Sequence, residues 1–112
     1  MNTSIKELLD LLLAQHGTLS IKLDEMTDPV LGRAILREMR EILHRADLLQ
    51  NVLMVETTQR LETAADRVRT ADKALTKQLK EVDDGAKLIK NVSRFLASMD
   101  KVIDIAKTVA VL

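Results

Sequence analysis

Apolar residues recur along this chain at alternating steps of three and four, the spacing that places side chains on one face of an α-helix. In the first segment the series is Ile5, Leu9, Leu12, His16, Leu19, Leu23 and Met26, an a/d heptad seam. Ser4 followed by Glu7 reads as a capping box that would start this helix. Gly17–Thr18 is a weak point inside it, because glycine costs about 1 kcal/mol in a helix interior, and a kink or break is expected there.

Thr27–Asp28–Pro29 is the clearest boundary. Asp28 suits an N-cap, and Pro29 suits the first helical position, where its missing N–H would have no partner anyway. A second seam follows through Ile35, Met39, Ile42, Ala46, Leu49 and Leu53, widened by Leu36, Leu43, Leu48 and Val52 into a bundle-type stripe. A third runs through Leu61, Ala64, Val68, Ala71, Leu75, Leu79 and Val82; its alanines make it thin, with little area to bury. Asp83–Asp84–Gly85 reads as a stop and restart, with Gly85 in a left-handed conformation. The last segment is the most apolar, with Ile89, Val92, Leu96, Met99, Ile103, Ala106 and Ala110 on its seam and Leu88, Phe95, Val102, Ile105 and Val109 beside it.

The pattern therefore predicts an all-α protein, an antiparallel helical bundle or coiled coil forming one domain over residues 1–112, with helices at roughly 4–26, 29–83 and 86–111. Two architectures fit. If the middle segment breaks near Thr57, the chain is an up-down-up-down four-helix bundle. If it is continuous, two outer helices fold back on one long helix, and two chains must pair to cover the core. Local chemistry favours the second. From Val52 to Asp84 there is no Gly, Pro or Asn. Thr57 and Thr58 are candidate caps, but neither has Glu or Gln three residues on. The eleven-residue step from Leu53 to Ala64 also reads as a stutter inside a continuous helix. A dimer is accordingly the expected assembly.

Composition removes several functions from the picture. Lys and Arg number 17, as do Asp and Glu, so the net charge of zero does not indicate a nucleic-acid binder. With no cysteine there are no disulfides or zinc–thiolate sites. Phe95 is the only aromatic residue, which leaves no stacking platform for single-stranded nucleic acid. Asp10 and Glu7 interrupt the apolar run near the N-terminus, and no window matches a spanning helix, so a cytoplasmic location is the expectation. Charge is uneven: residues 1–27 carry a net −2 and residues 86–112 a net +3. A basic, apolar last helix suits burial in a bundle first and docking on an anionic membrane second.

Chemistry-bearing candidates are few. A turn at Asp28 would set His16 opposite Met39, a pair that could ligate haem iron, or His16 could serve as a polar core residue setting register. His44, off the second seam, is a candidate phosphate carrier, but Asp47 at the third following position would repel a phosphoryl group. Glu41–His44 matches one Glu-x-x-His pair, whereas a di-iron bundle needs two such pairs and two further glutamates. No phosphate loop or nucleophile elbow is present. No enzyme activity and no cofactor are expected. The function expected is a non-enzymatic interaction or scaffold role through coiled-coil association, with the chain's own copy as first partner. The alternatives are a membrane-active or secreted bundle whose basic, apolar last helix docks on lipid, and after it a cofactor- or phosphate-carrying bundle using His16 or His44. The residues expected to carry it are Leu9, Leu12, His16, Met39, Leu53, Leu61, Phe95, Leu96, Met99 and Ile103.

Overall fold

A computed structural model describes residues 1–80 and 85–111. Among them are four helices: α1 (Thr3–Asp24), α2 (Pro29–Gln50), α3 (Gln59–Lys80) and α4 (Gly85–Val111). The first three have 22 residues each, about 33 Å at ~1.5 Å per residue, so their ends match. The fold is an all-α four-helix bundle, and the middle segment is not one helix. Among the described residues no helix is long and apolar enough to cross a membrane.

Each start has an identifiable cause. Asp28 caps α2 as its sequence suggests: its Oδ1 accepts the N–H of Val30 at 2.9 Å, and Pro29 follows as the first helical residue. The cap of α1 is Asn2, whose Oδ1 accepts the Ile5 N–H at 3.1 Å. Ser4 and Glu7 form no capping box; both lie inside α1 and turn toward α3, Ser4 to Glu62 and Glu7 to Arg69. Nor does Gly17 interrupt the helix. It is exposed, a Cβ there would meet nothing within 4 Å, and α1 continues through it. Hydrogen bonding from the Thr18 hydroxyl to the Ala14 carbonyl (3.0 Å) holds that turn. The expected stop at Asp83–Asp84 lies outside the described residues. Gly85 opens α4 beside Leu31 of α2, so close that an added Cβ would stand 2.5 Å from Leu31 Cδ2. Close approach, not a left-handed backbone, is what asks for glycine there.

The chain turns where local chemistry favoured continuity. Helix α2 ends at Gln50, residues 51–58 form a connection, and α3 begins at Gln59. Thr58 caps α3 without a capping box, its Oγ1 accepting the Leu61 N–H at 3.1 Å. Asn51 ends α2 in ordinary right-handed geometry, φ −72° and ψ −12°, so no glycine is required. The freed carbonyls find donors in a residue distant in sequence: the Asn2 backbone N–H donates to Leu53 O at 2.6 Å and its side-chain amide to Val55 O at 2.8 Å. The eleven-residue step is thus a phase reset across a turn. Energetics explain why tertiary structure overrides the local preference. Running α2 into α3 would add a handful of backbone hydrogen bonds, each a net ~1 kcal/mol. Turning buries facing stripes of Leu, Ile, Val and Phe, each fully buried side chain contributing about 1.5–3 kcal/mol.

Interhelical pairs define the arrangement. Ser4 with Glu62, Glu7 with Arg69 and Gln15 with Asp72 show α1 and α3 side by side in the same direction. Leu31 beside Gly85, and Arg45 bonded to Asp100, show the same for α2 and α4. At the far end Asn51, Val52, Met54, Val55 and Glu56 share one depression with Val109 and Ala110. The backbones of α1 and α4, like those of α2 and α3, do not approach closely, so these pairs stand on the diagonals. The molecule is two hairpins, α1–α2 and α3–α4, packed face to face, with residues 51–58 crossing the diagonal at one end. Its extents are 48 × 21 × 17 Å.

A denaturation series tests these caps. Thr58→Ala is expected to cost about 1 kcal/mol and Thr57→Ala, which removes no bond, less than ~0.5 kcal/mol. Asn2→Ala removes a cap and leaves the Val55 carbonyl without its donor, an expected loss of about 2 kcal/mol in urea unfolding.

Candidate interaction surface

Eight of the ten residues expected to face a partner helix are used inside this chain. Leu9, Leu12, Met39, Leu61, Phe95, Leu96, Met99 and Ile103 are buried in the bundle's own core, while His16 and Leu53 are half-buried. The dimer expectation rested on an uncovered core along a long helix; here the seam residues of each helix are buried against other helices of the same chain. The same holds for α4, whose Leu88, Val92, Phe95, Met99 and Val102 are buried, so presenting this stripe to lipid would mean opening the bundle.

The polar core position on α1 is Gln15, not His16. Gln15 is only 4% exposed, and its Nε2 donates to Asp72 Oδ1 at 2.8 Å and Thr76 Oγ1 at 3.0 Å on α3. Its Oε1 has no partner. The apolar series drifts by one position after Leu12, from the heptad phase to a step of three, and this brings residue 15 inward. His44 is exposed on α2, and the Glu41 carboxylate beside it is engaged by Arg45 Nη1 at 2.6 Å. That bond and the arginine's charge hold the Glu41 carboxyl below its usual range. Among the described residues no cluster of three or more His, Asp or Glu is arranged to hold a metal.

What the bundle leaves outside is more informative. Leu36 and Leu43, expected to widen the core stripe of α2, are 40% and 44% exposed. They continue the flank marked by Gly32, where an added Cβ would meet Leu23 of α1 at 3.6 Å. Leu13 of α1 is 46% exposed, on the flank opposite Gln15 and therefore away from α3. The Asn2–Leu53 bond at one end and the turn after Asp24 at the other set the antiparallel register of this hairpin, placing Leu13 level with Leu43 to within a turn. The three leucines thus line the outer groove between α1 and α2.

Beside them runs a basic stripe. Arg33, Arg37, Arg40 and His44 recur at steps of four, three and four on α2, and all are exposed. Among the described residues, Lys6 and Asp10 pair on the Leu13 flank of α1, and the pairs of Arg45 and Arg69 lie on other faces. Arg45 donates to both carboxylate oxygens of Asp100 on α4, at 2.9 and 3.1 Å, and Arg69 pairs with Glu7, Asp66 and Glu62. The arginine stripe has no carboxylate of the described residues within ion-pair distance, and its charge faces solvent.

Glu38 lies half-buried on the α4 side of α2. Burial pushes its carboxyl above the usual 4.5, the nearby Glu41 adds to this, and Arg45 and Arg37 work against it. The folded state therefore holds this proton more tightly than the unfolded chain, and ionising Glu38 erodes stability as pH rises above about 4.5. Glu38→Gln is expected to raise the thermal midpoint near pH 7, with the gain fading as pH falls through the carboxylate range; melts at both pH values measure it.

No family model, curated protein or solved structure matches the chain.

Proposed function

We propose that this protein is a non-enzymatic helical binding module whose α1–α2 hairpin receives an acidic amphipathic helix of a partner protein. One observation carries the reading: three exposed leucines, Leu13, Leu36 and Leu43, line a groove flanked along its length by the exposed Arg33, Arg37, Arg40 and His44. Leucines seven residues apart on α2 match the two-turn repeat of a partner helix lying along the groove. The arginines carry guanidinium forks suited to Asp and Glu on that helix, and opposite charge along the rim speeds encounter and selects the partner. The rest of the molecule serves as a rigid mount, since the core behind the groove is closed by the chain itself. Self-association through the core seam would require opening the bundle, so a second copy is here an alternative occupant of this outer groove.

The test uses a fluorescent 21-residue helical peptide with leucines at seven-residue spacing and glutamates on one flank. Binding is expected, weakening with salt. Leu36→Ser/Leu43→Ser and Arg37→Glu/Arg40→Glu are each expected to weaken it at least tenfold, about 1.4 kcal/mol. Affinity unchanged in both variants would refute the reading. So would a dimer, detected by light scattering, that the leucine variant abolishes while the peptide fails to bind, because the groove's occupant would then be a second copy.

A further inference from the structure

On the other hairpin, the outer groove between α3 and α4 holds a depression of about 250 Å³ lined by Arg60, Thr63, Ala64, Arg67, Lys101 and Ile105. Three of these six residues are cations and none is an acid. Arg60 and Arg67 are two turns apart on α3, and Lys101 reaches in from α4. Ala64, a small side chain among the lining residues, contributes to the room.

The lack of compensating charge has a structural cause. On α3, Glu62 and Asp66 are drawn toward Arg69, on the α1 side, and Asp72 accepts from Gln15 of α1. On α4, Asp100 is held by Arg45 of α2. The bundle has thus placed these carboxylates on its interhelical faces, and no described carboxylate pairs with Arg60, Arg67 or Lys101. Three like charges around one depression repel each other, and that repulsion is relieved only by screening or by a bound anion.

We infer that the α3–α4 groove is an anion site for a phosphate group carried on a small organic body. Arg60 and Arg67 supply planar forks that can each donate two hydrogen bonds to phosphate oxygens, and Lys101 supplies a third positive charge from the opposite wall. Ala64 and Ile105 give the organic portion an apolar floor. The depression, about 250 Å³ and open to solvent on one side, leaves room for an organic substituent beside the phosphate. The site lies on the α3–α4 hairpin and does not depend on the α1–α2 groove.

The experiment titrates phenyl phosphate, inorganic phosphate and sodium chloride at matched ionic strength into isotope-labelled protein. Amide shifts are expected at Arg60, Thr63, Ala64, Arg67, Lys101 and Ile105 with both phosphates, saturating at least threefold lower in concentration for phenyl phosphate, and not with chloride. The variant Arg67→Gln/Lys101→Gln is expected to fold, to melt no lower than the parent in chloride, and to lose those shifts. Shifts absent in the parent, spread evenly over its lysines and arginines, or retained in the variant would overturn the assignment. Given shifts in the groove, cosedimentation with phosphatidic acid vesicles but not phosphatidylcholine vesicles, lost in the same variant, would identify a lipid headgroup as the phosphate's source. No cosedimentation would identify a free phosphomonoester.

Discussion

The connection between the two hairpins is held by a single residue reaching across the chain. Asn2 caps α1 with its side-chain oxygen, and its backbone and side-chain N–H groups satisfy the carbonyls of Leu53 and Val55. Asn2 is 5% exposed, so these bonds form where water cannot replace them cheaply. A turn that leaves a helix must find partners for the carbonyls it frees. At the end of α2, Asp47 and Leu49 find donors locally in Asn51 and Val52, while Leu53 and Val55 of the connection find theirs at the start of α1, donors that exist only when the first hairpin has formed. The break at residues 51–58 therefore combines local caps, Asn51 and Thr58, with tertiary partners for its connection.

Once the chain turns there, the remaining polar interactions fall into place on two faces. Between α1 and α3 lie Ser4 with Glu62, Arg69 with Glu7, and Gln15 with Asp72 and Thr76. Between α2 and α4 lies the two-pronged bond of Arg45 to Asp100. These long-range bonds align one hairpin on the other, while the apolar core supplies the bulk of the stabilisation. They also engage acids the outer surfaces could have used. Arg33, Arg37 and Arg40 of α2, and Arg60, Arg67 and Lys101 at the α3–α4 groove, are exposed and form no ion pair with a described carboxylate.

Much of this was legible in the sequence. Asp28–Pro29 marks a helix start by chemistry local to two residues, and the α2 seam through Ile35, Met39, Ile42, Ala46 and Leu49 is buried as its period indicates. What was not legible depends on distant residues. No local signal says that Asn2 will hold Val55, so Thr58 looked like a weak helix former when it is a cap. Gln15 took the buried place that a strict heptad gives His16, because real helices drift against a seven-residue repeat. Leu36 and Leu43 read as core because hydrophobicity alone does not say which side of a wide stripe a neighbour will cover. The α3–α4 groove gave only a weak trace: Arg60 and Arg67 at heptad spacing beside a small Ala64. The level position of Lys101 on another helix is invisible until the register is known.

The distance between residues 33 and 77 tests the central claim, that the chain turns at 51–58 and closes its own core. Arg33 and Lys77 are both exposed, and the chain has no native cysteine, so a double cysteine variant can carry two spin labels. Dilution with unlabelled protein removes distances between chains. In the bundle both residues stand at the end where Leu31 meets Gly85, and the measured separation should fall well inside the 48 Å long axis. A continuous helix from 33 to 77 would hold the labels roughly 66 Å apart at ~1.5 Å per residue, and that distance would contradict the account.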